Sequence, residues 1–445
     1  MFNVAFAALS LVCVILVLYN RSKQTIPATS GEFKRFQLIY LVPFFLMTAS
    51  DWLQGPFVYV LYESYNYGIE DIGLLFTAGF GSSMIFGTFV GSLCDRFGRK
   101  NCCLVYVVLY TISCITKHFS NFSVLMLGRL LGGISTSILF SAFESWMISE
   151  HFSRGFDSEW LSYTFYLQSF GNSIVAILSG IAGGLVKSAF GTVTAPFDAA
   201  VILLIIGGVA IALLWKENYG DSTGEFGANF VNAYNAIKND ANVLCLGVAQ
   251  SFFESAMYIF VFMWTPTIAP LFEEELNHGL IFACFMVAAM IGSSVYNLTS
   301  TFYAKEAILS YMFLVSALSF VGPIAINNRE IIVSSFLLFE GSVGVFWPSI
   351  STLKGIYIPE DVRGTVMNYF RLPTNFFVVI ILNQVKKLST PIVYTLCAAF
   401  MAVGFLASYY VKSRAEERNH ISRYSPVVVP EVEVEDRPSQ ETHNA

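Results

Sequence analysis

Apolar runs of membrane-crossing length follow one another from one end of the chain to the other. A helix needs about 20 apolar residues to cross a hydrocarbon core. The pattern predicts spans near 2–18, 38–60, 70–92, 102–118, 123–148, 161–187 and 197–215, then 243–268, 279–300, 306–326, 331–353, 365–386 and 390–411. This is one early helix followed by twelve. The longest internal polar stretch, "KENYGDSTGEFGANFVNAYNAIKND" at 216–240, divides the twelve into six and six. Within it Phe226, Phe230, Tyr234 and Ile237 recur at helical spacing, which fits a short helix on the membrane surface as well as a plain linker. The expected organisation is an anchor helix and connection at 1–36, a six-helix bundle at 37–215, a cytoplasmic linker at 216–242, a second six-helix bundle at 243–411 and a disordered cytoplasmic tail at 412–445.

The two halves resemble each other weakly. "ASDWLQGPFVYVLY" in the first of the twelve spans aligns with "FFESAMYIFVFMWT" in the seventh, setting Asp51 opposite Glu254. "LGRLLGG" in the fourth aligns with "LFEGSVG" in the tenth, setting Arg129 opposite Glu340. Together the matches favour a duplicated six-helix unit, the sequence trace of a transporter built from structural repeats.

Composition agrees with an all-α polytopic membrane protein: of 445 residues 55% are hydrophobic, 13% are charged and 42 are phenylalanine. Basic residues give the orientation, because cytoplasmic loops retain Lys and Arg. With residues 19–37 inside, most of the 25 Lys and Arg fall on cytoplasmic segments, while Lys117, Lys187, Arg329, Lys386 and Lys387 face outward. The N-terminus is then outside and the C-terminus cytoplasmic. A cleaved signal peptide fits the first helix less well, since "VLYNRSK" lacks a small-residue cleavage site and its basic residues follow the apolar run. The net charge of −6 comes largely from the tail "PEVEVEDRPSQETHNA". The eight cysteines lie in or beside spans without metal-like spacing, the five histidines are scattered, and no phosphate-cradling loop appears. No cofactor, metal site, enzyme activity or nucleic-acid partner is expected, and an ATP-driven pump is excluded on the same grounds. Asn121, in "NFS", is a glycosylation sequon so close to the membrane that an unused site is favoured.

Six charges fall well inside spans: Asp51, Arg129, Glu144, Glu254, Glu340 and Arg371. Each costs about 2.5–3.5 kcal/mol near the bilayer centre on insertion scales, so such residues face a bundle interior or a wet cavity. Mutual pairing that locks helices is the competing account. Arg129 and Glu144 share one predicted helix, separated by about 22 Å of rise and about 60° of rotation. Gly132, Gly133, Thr136 and Phe140 lie between them on the same face, which suits either a passage or close helix packing.

"GSLCDRFGRK" at 91–100 forms a tight basic turn after the second of the twelve spans, with Gly91, Asp95, Arg96, Gly98, Arg99 and Lys100 at its key positions. It resembles the signature loop of the major facilitator superfamily. The resemblance implies a two-domain alternating-access transporter in which this loop acts as a gate, Asp95 holding the cytoplasmic side closed against a neighbouring helix N-terminus. "ASDWLQGPFVYVLY", "GRLLGGISTSILFSAFESW", "FFESAMYIFVFMWTP" and "NYFRLP" resemble, more narrowly, the eukaryotic molybdate-anion transporters, over about residues 35 to 410. "YNLTSTFYAKE", between the eighth and ninth spans, departs from the loop that duplication would repeat.

That resemblance implies uptake of molybdate, or a similar oxyanion, across the cell membrane by a protein that works as a monomer. A tetrahedral dianion needs concentrated positive charge and hydrogen-bond donors, and arginine supplies a planar fork. Arg129 and Arg371 are the expected substrate contacts, with Asp51, Gln54, Trp52, Thr136 and Asn368 around them. Carrying two negative charges into a negative-inside cell is opposed by roughly 4.6 kcal/mol per 100 mV. Concentrative uptake therefore needs a co-transported cation, and Asp51, Glu254 and Glu340 are the expected proton carriers, because burial disfavours the charged form. Glu144 reads as a gate or helix-pairing residue. An organic nutrient as substrate, or a membrane sensor without transport, are the alternatives.

Overall fold

The computed structural model describes residues 1–23, 29–220, 226–359 and 362–424; the side chains of 226–230, 364 and 418–424 lie outside the description. The described residues form helices and their connections, without strands. The first half comprises α1 (Phe2–Ser22), α2 (Gly31–Gln54), the short α3 (Val58–Ser64), α4 (Ile69–Phe97), α5 (Arg99–Ile115), α6 (Phe122–Leu139), α7 (Ala142–Ser153), α8 (Ser158–Phe190) and α9 (Ala195–Leu214). After α10 (Phe226–Asn239) follow α11 (Ala241–Ile268), α12 (His278–Thr299), α13 (Lys305–Ser319), α14 (Val321–Ala325), α15 (Arg329–Tyr357), α16 (Arg363–Gln384) and α17 (Thr390–Tyr424).

Among the described residues, twelve helical stretches, α1 among them, are long and apolar enough to cross a membrane. The span expected at 102–118 corresponds to α5, whose 17 residues still give roughly 25 Å of rise. It packs between α6 and α9 and completes the first bundle. The first bundle starts earlier than expected, because Ser30 caps α2 by accepting the Phe33 N–H. At the other end α17 continues through Tyr424, so the stretch read as a disordered tail begins as helix; residues 425–445 lie outside the described residues.

The helix expected from Arg129 to Glu144 is broken. α6 ends at Leu139, and Ser141 takes φ −130° and ψ −59° before α7 begins. The cause is local: Thr136, Ser137 and Ser141 each donate a hydroxyl to the carbonyl four residues back, a pattern that bends helices. Arg129 and Glu144 are therefore not two ends of one stripe.

α10 forms where the polar segment shows helical spacing, but its packed face differs from the one expected. Ala233 is buried with Val362, Val366 and Phe370 at the start of α16, with Ile237 against them, whereas Tyr234 points away. α1 docks on α12, where Cys13 meets Val287 and Met290 and Asn20 donates to the Ser294 carbonyl at 3.0 Å.

The halves meet along two helix pairs, α4 with α16 and α8 with α12. At Gly279 a β-carbon would stand 2.3 Å from the Gly180 carbonyl oxygen, so the backbones of α8 and α12 touch there. The same end of the molecule carries Lys187–Glu275 at 2.6 Å and Glu70–Lys386 at 2.7 Å, both joining the halves. Phe262 of α11 packs edge-on against Tyr59 and Phe76 of the first half, sealing that end with rings. At the opposite end, the 91–100 loop bonds within its own half.

Candidate functional site

Arg129 lies about two turns into α6 and turns toward α4. Its Nε donates to the Leu75 carbonyl at 3.1 Å, and its guanidinium lies 4.8 Å from the centre of the Phe76 ring. Gly79 makes the space, since a β-carbon there would come within 2.5 Å of Nη2. Phe76 is the ring that Phe262 closes upon, so Arg129 sits directly beneath the seal between the halves.

Asp51, from α2, accepts a very short hydrogen bond from the Tyr110 hydroxyl of α5 and lies within electrostatic range of Arg129 without forming an ion pair. Of the supporting donors expected nearby, Gln54 is buried and donates to the Ser50 carbonyl of its own helix at 3.1 Å. Trp52 Nε1 donates to Asn172 of α8 at 3.0 Å, and the Thr136 hydroxyl is taken by Gly132. Each of these three side chains makes a hydrogen bond within the fold.

Arg371 reaches across from α16. Its Nη1 stands 3.4 Å from where a β-carbon on Gly87 would be, and Ser137 Oγ approaches the same point at 3.4 Å. Gly79 and Gly87 are eight residues apart on α4, roughly 12 Å along its axis. The structure thus places both expected arginines on α4, at two levels. Asn368 lies one turn earlier on α16, half-buried.

Around Arg371 gathers a second group. Glu254 of α11 is buried, accepts a 2.7 Å hydrogen bond from Gln250 and has Arg371 and Lys354 within electrostatic range. Tyr258, one turn further, packs its ring 4.8 Å from Phe80 of the first half. Glu340 is buried in α15 beside the tight α12 contact, where a β-carbon on Gly292 would collide with the Gly341 carbonyl. Among the described residues, Asp51, Glu254 and Glu340 form no ion pair. Locking of helices by mutual ion pairs, the competing account, is thus not what holds these acids. Glu144 is half-buried in the first turn of α7.

The signature loop is held by a residue that sequence reasoning passed over. Gly98 has φ +98°, a conformation that favours glycine, and a β-carbon there would stand 2.5 Å from the Glu217 carboxylate. Glu217 Oε1 accepts Lys100 N–H at 2.9 Å and Oε2 accepts Asn101 N–H at 3.0 Å, so it caps the N-terminus of α5 with a negative charge. Asp95 pairs with Arg99 at 2.7 Å, and its carbonyl accepts Gly220 N–H from the segment that follows α9. Gly91 has open space beside it and Arg96 is exposed. Trp146 and Trp215, stacked 3.8 Å apart, brace the segment leading to Glu217.

A family model described as sugar transporters with 12 transmembrane spans matches residues 1–344. The molybdate-anion transporter of Xenopus laevis is 34% identical over 388 residues, 84% of this chain and 85% of the relative. That of Danio rerio is 32% identical over 408 residues, covering 83% and 84%. Among solved structures, a D-xylose-proton symporter superposes with a TM-score of 0.65 at 13% identity, over 86% of this chain and 97% of that one. The human organic anion transporter MFSD10 gives 0.62 at 14% identity, over 85% and 100%. These two likenesses show the fold. The sequence relatives, matched along most of both chains, show more: this chain belongs to the molybdate-anion transporter family of the major facilitator superfamily.

Proposed function

We propose that this protein is a secondary transporter that takes molybdate across the cell membrane by alternating access, with its N-terminus outside, its C-terminus in the cytoplasm and a single chain as the working unit. The observation that carries the reading is the placement of Arg129 and Arg371 on one helix, α4, at two levels between the halves. A dianion released from the first arginine meets the second about 12 Å further along. Lys354 continues the positive charge toward the end that carries the signature loop. In this orientation the sealed end, with Lys187–Glu275 and Glu70–Lys386, is the outer one. The arrangement is then inward-facing, which accounts for Asp95 bonding to its own loop instead of reaching the second half.

Proton coupling supplies the driving force in this account. Arg129 and Asp51 lie together without an ion pair, and an arriving dianion adds negative charge beside a carboxylate. A proton on Asp51 relieves that repulsion, and Glu254 and Glu340 in the second half are the further carriers. The description of the matching family model, sugar transporters, favours a second reading in which an organic nutrient is the cargo. Uptake by the purified protein in liposomes separates them. Molybdate uptake that is blocked by excess unlabelled molybdate, ignores a panel of sugars and rises with an inward proton gradient supports the proposal. Uptake of a sugar with no molybdate uptake overturns it.

A further inference from the structure

We infer that Lys117, together with Arg129 and the Tyr62 hydroxyl, forms an oxyanion subsite at the sealed end of the first half. This deepens the molybdate reading and rests on it. Lys117 follows α5 in a single 3₁₀ turn, Thr116–His118. The turn folds inward because Tyr65 donates to the Lys117 carbonyl at 2.5 Å and Tyr67 to the Ser120 carbonyl at 2.5 Å. The lysine side chain is 1% exposed, and its Nζ makes no hydrogen bond among the described residues. The ammonium lies 5.7 Å from the centre of the Tyr62 ring, and the buried Tyr62 hydroxyl also lacks a hydrogen bond of good geometry. Arg129 lies in electrostatic range of both groups.

Among the described residues neither of these two cations forms an ion pair. Asp51 is engaged by Tyr110, and Asp198 by His118, the residue next to Lys117. An ammonium removed from water without a counter-ion is costly, and an anion arriving beside it would offset that cost. Gly128 of α6 fixes the position of the ammonium: its side-chain space is filled by Thr116 Oγ1 and, 3.1 Å from the β-carbon position, by Lys117 Nζ. Three groups of donors converge: an ammonium with three N–H bonds, a guanidinium fork and a phenol. Two unit positive charges match the two negative charges of a tetrahedral dianion. Opening the Phe262 seal exposes the subsite first, so it captures the oxyanion before Arg371 receives it.

Lys117→Gln and Lys117→Arg, purified beside wild type, test this by thermal unfolding in sodium molybdate, sodium sulfate or sodium chloride, and by molybdate uptake kinetics. Removing an unpaired buried charge is expected to leave the unfolding temperature without added oxyanion unchanged or higher. It is also expected to abolish the oxyanion-induced rise and to increase KM at least tenfold, while Lys117→Arg keeps most of the response. A Lys117→Gln protein with wild-type KM and wild-type oxyanion response overturns the subsite and leaves the molybdate reading standing. A failure of Lys117→Gln to fold, or a lower unfolding temperature with the anion response intact, marks a structural lysine and also overturns it. A wild type that responds to sulfate, loses that response in Lys117→Gln and moves no molybdate keeps the subsite and sinks the cargo. A wild type that responds to no oxyanion overturns both.

Discussion

The guanidinium of Arg129 occupies the space that a side chain on Gly79 would fill, with Nη2 2.5 Å from the β-carbon position. Two helices are thereby tied through one cation: α6 supplies the arginine, and α4 supplies the gap, the Leu75 carbonyl and the Phe76 ring. Gly79→Ala should displace Arg129 and lower molybdate uptake about tenfold, the loss of roughly 1.4 kcal/mol of interaction. Gly81→Ala, on the same helix with open space beside it, should transport normally and unfold at the same or a slightly higher temperature. Equal activity in the two variants would contradict the assigned position of Arg129.

Glu217 and Gly98 make a prediction about stability. Glu217→Gln removes the charge of the cap on α5 and sets an NH2 donor against one of the two N–H groups the carboxylate accepts, and should cost about 1–2 kcal/mol, read as a lower unfolding temperature. Gly98→Ala should cost more, about 1–3 kcal/mol, since it forces a β-carbon into both a positive φ and the carboxylate.

Among the described residues Glu340 is buried with no cation in electrostatic range, whereas Glu254 has two. Glu340→Gln, neutral and of equal size, should fold and should still exchange molybdate down its own gradient. Its uptake should no longer rise with an inward proton gradient. Retention of the full proton response would remove Glu340 from the coupling scheme and leave Asp51 and Glu254.

The cross-half pairs are switches of low strength. Glu275 lies in an exposed connection, and the Lys187 ammonium holds its carboxyl below the usual range. A lowered carboxylate pKa contributes stability above the ordinary value, about 4.3, which is lost as pH falls through the lowered one. The pair should therefore be constant between pH 6 and 8, and any pH dependence there must come from elsewhere. Exposed pairs contribute about 0–1 kcal/mol, so Glu275→Gln alone should change uptake less than fivefold. A short thiol crosslinker between cysteines placed at 187 and 275 should stop transport by holding the ends together, and failure to do so would show that this end does not open.

Much of this was legible in the sequence because membranes impose a simple rule. Apolar runs set the spans, and a charge inside one, as at Arg129 or Arg371, stands out by its cost. What escaped had no such contrast. Lys117 lies at the edge of a predicted span, where a lysine reads as an interfacial residue; only the inward fold of its turn shows it buried. Lys354 and Glu217 were hidden in the same way, at a span end and just past one. The break at Phe140–Ser141 lies within an unbroken apolar pattern, and its three back-bonding hydroxyls become visible as a cause once the bend is seen. Gln54, Trp52 and Thr136 were chosen as donors from residue type alone, and type does not tell whether a donor is already engaged.

The central claim is that Arg129 holds a travelling oxyanion. The most direct test is radiolabelled molybdate uptake into liposomes by wild type and Arg129→Ala, reconstituted at equal amounts after both are shown to be folded. The account predicts saturable uptake by wild type and a loss of at least a hundredfold in Arg129→Ala, about 2.7 kcal/mol. Uptake by Arg129→Ala at the wild-type rate and KM would contradict it.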